Sequence, residues 1–317
     1  MINLAYEVAR MDYCDGFNHV ALTGSPMVRG VLKMRIGCVG AGVMGREIIR
    51  HLVTAGHDVA AFDLDPVALA AIEPRAVAVS DIADLAGSAD VFFIVVATDS
   101  QTIDVVTQLV SVGLSDGAAI AVLATCHPDT MAPLAKAAKA AGIGFIDAPV
   151  CYGKKGAVDG NLLSLCGGDV AVVEQLKPAM MAYSRDVLHV GAIGSGQVAK
   201  ACNNMMHWAA CVANYEVLFM AKSHGINAQH MREILLQCPA RNTTLERWDS
   251  TNFTWHEKDL DVALDLAQQS GITLPLFGQV DQLVKTLGPD KVKMLLYGNS
   301  ASYLGQDLAE TAADPEK

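Results

Sequence analysis

The feature that most restricts how this chain can fold is a glycine turn, Gly40-Ala41-Gly42-Val43-Met44-Gly45. It stands between an apolar run that reads as a strand, Arg35 to Val39, and a stretch with helical apolar spacing. Glycines in that setting let the backbone turn sharply, so that N–H groups at the positive end of the helix can approach a pyrophosphate closely. A lone Gly-x-Gly-x-x-Gly is weak, so the next strand matters. It ends at Phe62-Asp63, eighteen residues past Gly45, where a carboxylate can accept hydrogen bonds from an adenosine ribose diol. Together the two predict a dinucleotide site formed by Gly40, Ala41, Gly42, Val43, Met44, Gly45 and Asp63. A carboxylate at Asp63 would repel a 2′-phosphate, and Leu64-Asp65 supplies no arginine to hold one, so NAD is favoured over NADP.

Apolar runs continue to alternate with helix-like stretches up to about Val190. Strands are expected at Arg35 to Val39, Asp58 to Phe62, Val91 to Val96, Ala118 to Leu123, Gly144 to Ile146 and Val187 to Val190. Helices are expected over about 43–55, 66–73, 100–112, 129–141 and 170–183. This is the pattern of an α/β fold, a Rossmann-type doubly wound parallel sheet with helices on both faces. After Gly194-Ser195-Gly196 the pattern changes to a helix of nearly thirty residues, running to about Ser223 with Gly225 as its stop. The rest reads as helix and loop, with helices over about 227–237, 258–270, 276–287 and 290–296. The division expected is an N-terminal extension (1–33), a dinucleotide-binding domain (34–193) and an all-helical C-terminal substrate or oligomerisation domain (194–317) on a long interdomain helix. Met34 could itself be a start codon.

Composition removes several classes of function. The 317 residues carry 34 acidic and 23 basic side chains, a formal charge of −11, and no basic patch, so neither nucleic acid nor an anionic membrane surface is an expected partner. The longest apolar runs, Val91 to Ala97 and Ala118 to Ala124, are far shorter than the roughly 20 residues of a membrane-spanning helix. Glu7, Asp12 and Asp15 interrupt any secretory signal at the N-terminus. The eight cysteines are scattered, with no Cys-x-x-Cys pair and no Cys/His cluster at zinc spacing. That suggests reduced thiols in a cytoplasmic protein without a metal. Cys126 and His127 have no third ligand spaced to join them.

Four ordered blocks between about residues 34 and 296 resemble the β-hydroxyacid dehydrogenase family, which includes 3-hydroxyisobutyrate dehydrogenase and tartronate semialdehyde reductase. They are the glycine turn; Asp147-Ala148-Pro149-Val150-Cys151-Tyr152-Gly153 with Gly156-Ala157 and Gly160-Asn161-Leu162; Gly194 to Asn204; and Phe253 to Lys258-Asp259-Leu260. The resemblance implies reversible hydride transfer between nicotinamide and the alcohol or carbonyl carbon of a small substrate, a 3-hydroxyacid or related semialdehyde. Lys200 and Asn204 lie four apart, so on a helix they share a face and can converge on one oxygen function. Lys200 is the expected general acid/base and Asn204 its orienting partner or a substrate ligand. The resemblance places further cofactor contacts at Val96, Ala97 and Gln101, at Thr125 on the nicotinamide side, and at Lys258, which would close over the cofactor.

One block departs from the family pattern. Its substrate segment usually runs Ser-Gly-Gly, where a hydroxyl and backbone donors hold the substrate carboxylate; here Cys151-Tyr152-Gly153 stands in its place. A thiol is a weak donor and a tyrosine adds bulk. Tyr152 either reshapes the pocket for a larger or less acidic substrate, or points away while Cys151 replaces the serine. Neutral-alcohol oxidation and imine reduction are therefore alternatives, Lys200 disfavouring the latter, and a non-catalytic dinucleotide-binding scaffold is an alternative of another class. Apolar helices, including the segment Met294-Leu295-Leu296-Tyr297, suggest a homodimer or homotetramer.

Overall fold

The computed structural model describes residues 33–308; the expected extension (1–33), apart from Lys33, and residues 309–317 lie outside this range. The chain opens with β1 (Arg35–Val39), α1 (Gly45–Thr54), β2 (Asp58–Phe62), α2 (Pro66–Ala70), β3 (Val77–Ala78), α3 (Ile82–Ser88) and β4 (Val91–Ile94). It continues with α4 (Asp99–Val112), β5 (Ala119–Val122), α5 (Pro128–Ala140), β6 (Gly144–Asp147), β7 (Val150–Cys151), α6 (Gly153–Asp159), β8 (Leu162–Gly168), α7 (Val170–Met180) and β9 (Ser184–Gly191). The strands form one sheet in the order β3-β2-β1-β4-β5-β6-β8-β7, with β9 beside β8. From β3 to β6 every pairing is parallel.

Strands β4 and β5 are buried along their whole length, which is why they read as unbroken apolar runs. Side chains alternate across the sheet, so Phe93 joins one hydrophobic core with Ile36, Ile48 and Tyr183, and its neighbour Phe92 joins the other with Ile120, Leu109 and Met131. The chain leaves β1 towards β2 on one side and returns to β4 on the other. This reversal opens a crevice at the carboxyl ends of β1 and β4.

The sheet is not parallel throughout. Strand β8 runs antiparallel to β6 and β7 and parallel to β9. It was not expected, because Leu-Leu-Ser-Leu-Cys-Gly-Gly has neither a polar alternation nor a β-branched run.

Helix α8 (Ser195–Ser223) has 29 residues and is about 43 Å long. It leads into α9 (Ala228–Leu235), α10 (Thr243–Glu246), a 3-10 turn at Trp248–Ser250, α11 (His256–Gln269), α12 (Pro275–Val284) and α13 (Pro289–Tyr297). These share a third core that includes Trp208, Tyr215, Trp248, Leu260, Val284 and Leu295. Lys222, buried near the end of α8, donates to the carbonyls of Leu295 (3.1 Å) and Gly298 (2.5 Å), closing the C-terminal end of α13.

The C-terminal part ends in a hairpin rather than helix and loop alone, β10 (Ala301–Tyr303) and β11 (Gln306–Leu308). Leu304 (φ +49°) and Gly305 (φ +79°) make its two-residue turn, in which both central residues take positive φ. A leucine in the first of these positions gives no turn signal in the sequence. Among the described residues, no helix is long and apolar enough to cross a membrane.

Candidate functional site at the sheet crevice and helix α8

The glycine turn sits where β1 ends in the crevice. A Cβ at Gly45 would lie 1.9 Å from the carbonyl oxygen of Gly40, so the turn closes only with glycine there, whereas a Cβ at Gly42 would meet nothing within 4 Å. Gly42 thus borders open space beside the N-terminus of α1, where backbone donors favour an anion. Asp63 accepts from Ala41 N at 2.6 Å through Oδ2 and from Asp65 N at 2.9 Å through Oδ1, which ties the end of β2 to the turn. Each carboxylate oxygen keeps lone-pair capacity for a diol. Donors, open space and carboxylate together fit a dinucleotide. Val43 is exposed beside this space and Met44 packs against the core under it.

The loops after β4 and β5 form the opposite wall. Gln101 lies in the first turn of α4 rather than in the loop: its Oε1 accepts from the N–H groups of Ala97 (3.0 Å) and Thr98 (3.1 Å), completing a capping box with Thr98 and fixing the path of Val96 and Ala97. From α11, Lys258 Nζ donates to the carbonyls of Ala97 (2.7 Å) and Thr125 (2.8 Å), joining the two loops. His127 caps α5, its Nδ1 accepting from Asp129 N at 3.2 Å.

Helix α8 is anchored to this wall. The fully buried Asp147, at the end of β6, accepts from Gly194 N (2.7 Å) and Gln197 N (2.9 Å), satisfying the first N–H groups of the helix. Burial pushes its pKa up, while the backbone donors of Gly194, Gln197 and Gly196 oppose that shift. Gln197, also buried, donates from Nε2 to Ala124 O (2.8 Å) and accepts from Cys126 N (3.0 Å). The start of α8 is therefore bolted to both sides of Thr125.

One turn further, Lys200, Asn204 and Trp208 follow at intervals of four and line one stripe of α8. The stripe faces α11, where Asp259 accepts from Trp208 Nε1 at 3.0 Å. Burial raises the Asp259 pKa; the charge of Lys200, the side chains of Trp208 and Asn204, and the charge of Lys258 act in the other direction. Asn204 is itself buried, and its Oδ1 accepts from Asn203 Nδ2 at 3.0 Å. On the next turn, His207 shares a hydrogen bond with Thr244 Oγ1 (Nδ1 to Oγ1, 2.9 Å) and packs against Trp208. Burial, aided by the charge of Lys200, pushes its pKa down to about 4, so it is neutral near pH 7.

Beyond the stripe lies the segment Cys151-Tyr152-Gly153. Cys151 is buried, and burial raises its thiol pKa while the charges of Lys200 and Arg185 pull it back. Tyr152 and Gly153 both have positive φ, +83° and +55°. The residues singled out from sequence thus gather in three groups: the glycine turn with Asp63; Val96, Ala97, Gln101, Thr125 and Lys258 on the opposite wall; and Lys200 with Asn204 and the segment from Cys151 to Gly153. Sequence reasoning gave no role to Asp147 or Asp259. Both stand within the quoted blocks, and Asp259 follows Lys258 directly, one step around the same helix.

Residues 35–191 match the NAD binding domain of 6-phosphogluconate dehydrogenase, and residues 194–294 match the NAD-binding domain of NADP-dependent 3-hydroxyisobutyrate dehydrogenase. An uncharacterized oxidoreductase of Shewanella frigidimarina is 30% identical over 262 residues, 78% of this chain and 90% of the relative. The 2-hydroxy-3-oxopropionate reductase of Escherichia coli is 28% identical over 266 residues, 80% of this chain and 91% of the relative. In fold, the chain is similar to a solved structure of Mycobacterium tuberculosis 3-hydroxyisobutyrate dehydrogenase with L-serine, with a TM-score of 0.74 and 23% identity over 80% of this chain and 94% of that one.

Proposed function

The chain belongs to the β-hydroxyacid dehydrogenase family and is an NAD(P)-dependent oxidoreductase acting on a hydroxyl-bearing carbon; from that premise we propose an NAD-preferring enzyme of small 3-hydroxyacids or their semialdehydes, with Lys200 as general acid/base. The observation that carries this reading is the pairing of neighbours on α11. Asp259 faces the Lys200–Asn204 stripe, while Lys258 reaches the two loops on the other wall of the crevice. A substrate held against that stripe lies beside the place where the loops would seat nicotinamide.

Bound nicotinamide supplies the hydride acceptor or donor. In oxidation, neutral Lys200 Nζ takes the hydroxyl proton; in reduction, its ammonium returns a proton to the forming alkoxide. Asn204 orients the oxygen that exchanges this proton. The Asp259 carboxylate stabilises the ammonium across the stripe, and Trp208 keeps that carboxylate in place. Gly42 and the α1 N-terminus would receive the pyrophosphate, and Asp63 the adenosine ribose.

Residues 34–193 then serve as the dinucleotide-binding domain and 194–317 as the substrate domain. Exposed Met206, Val217 and Met220 on α8 support a homodimer or homotetramer, as do exposed Met294 and Tyr297, whereas Leu295 and Leu296 belong to the monomer core. We place the enzyme in the cytoplasm on the scattered cysteines, which are free among the described residues. The test is reduction of NAD and of NADP by a panel of short 3-hydroxyacids. Oxidation with NAD at clearly higher kcat/KM is expected. Equal efficiency with NADP contradicts the cofactor preference, and NAD binding without turnover on any hydroxyacid or alcohol contradicts the enzymatic reading.

A further inference from the structure

The segment that departs from the family pattern does not leave the pocket without a hold on an anion. Tyr152 keeps a positive φ of +83°, a conformation that strains a non-glycine residue. Strain of that kind persists where the surroundings over-determine it. Here, two guanidinium groups from distant parts of the chain meet on the tyrosine. Arg185, on β9, donates to Tyr152 Oη and has its Cζ 4.3 Å from the ring centroid. Arg247, just after α10, has its Cζ 5.1 Å from the same centroid.

Cation–π contact explains why the arginines rest there, and among the described residues leaves most of their donors without a partner. No carboxylate of the described residues lies within ion-pair distance of either, although acidic side chains outnumber basic ones in this chain.

One hydrogen bond and one electrostatic coupling place the pair at the substrate end of the candidate site. Cys151, next to Tyr152, lies within electrostatic reach of both Lys200 and Arg185. Thr244, one helical turn before Arg247, is bonded to His207, seven residues along α8 from Lys200. The arginines therefore stand beside the proton-handling stripe. A planar guanidinium fork matches the paired oxygens of a carboxylate or phosphonate.

We propose that Arg185 and Arg247, set by Tyr152, bind the anionic group of the substrate and take over the task that a hydroxyl and backbone donors perform in the family's usual Ser-Gly-Gly segment. This rests on the hydroxyacid reading above and makes the substrate an anion, a carboxylate or a phosphonate, rather than a neutral alcohol.

The test uses the full chain loaded with NAD, as wild type, Arg185→Gln, Arg247→Gln, the double variant and Arg247→Lys. Each is titrated with malonate and with methylphosphonate and assayed with 3-hydroxypropionate. Losing charge-assisted hydrogen bonds should raise KM for 3-hydroxypropionate roughly 10- to 100-fold in Arg247→Gln, with kcat falling far less, and Arg247→Lys should recover part of the loss. The wild type should bind at least one probe and the double variant neither; the tighter probe identifies a carboxylate or a phosphonate ligand. Melting temperatures of the loaded forms check folding. If the wild type binds neither probe, or if the double variant keeps KM and probe affinity within about twofold of wild type, the proposal is overturned. Turnover of Lys200→Ala tests the proton-transfer reading, while the titrations test the arginines, so each can fail alone.

Discussion

The two ends of the site are built differently. At the dinucleotide end the constraint lies in the backbone: a contiguous turn in which Gly45 alone can pass the Gly40 carbonyl, with Gly42 open to the crevice. At the substrate end the constraint lies in side chains brought from β7, β9, α8, α10 and α11, spanning Cys151 to Asp259. A backbone-built site fixes residue types at fixed spacings, so it can be read from a short string. A side-chain-built site fixes only which groups meet in space, and the fold can deliver them from any element.

The largest effect should come from breaking the backbone-built end. Gly45→Ala forces a Cβ to 1.9 Å from a carbonyl oxygen and should destabilise the protein by about 3 kcal/mol or more and abolish NAD binding, as read by denaturant unfolding and cofactor titration. Next is the joint between the two ends. Asp147→Asn turns an amide N–H₂ towards one of two buried N–H donors and should cost about 2 kcal/mol by the same unfolding measurement.

An effect that is absent at pH 7 and develops only in acid belongs to the substrate end. The folded protein holds His207 near pKa 4 against an ordinary 6.5, so the unfolded chain takes up a proton that the folded one refuses. Its contribution to stability is complete above pH 6.5 and is lost as pH falls towards 4, by about 1–3 kcal/mol. His207→Gln should flatten that part of the stability–pH curve, and an unaltered slope would show that His207 is not the group responsible. The smallest effect on stability sharpens the contrast. Gly42→Ala, with nothing within 4 Å, should unfold within about 0.5 kcal/mol of wild type yet bind NAD more weakly, because it fills the space proposed to receive the pyrophosphate.

Legibility in the sequence follows the same division. Helix α8 ends at Ser223, as read, because glycines punctuate both ends and nothing breaks the run between them. Strand β8 escaped notice because a strand buried beside a glycine pair carries no period-two signal. The β10–β11 turn was hidden by Leu304 in a position where asparagine or glycine is the usual sign.

In the candidate site, the glycine turn and Asp63 were visible together, as was the i, i+4 spacing of Lys200 and Asn204. The partners of Asp147 and Asp259 were not, since each bonds across a gap of some fifty residues that no local pattern encodes. Arg185 and Arg247 are ordinary arginines until the fold lays both against Tyr152.

In the proposed mechanism an amine on α8 moves the proton while the separate glycine-turn end holds the cofactor. Measuring NADH affinity and single-turnover hydride transfer side by side in Lys200→Ala tests it most directly. NADH binding should stay within about twofold of wild type while the hydride-transfer rate falls by roughly 10²- to 10⁴-fold. Hydride transfer at close to the wild-type rate would contradict it.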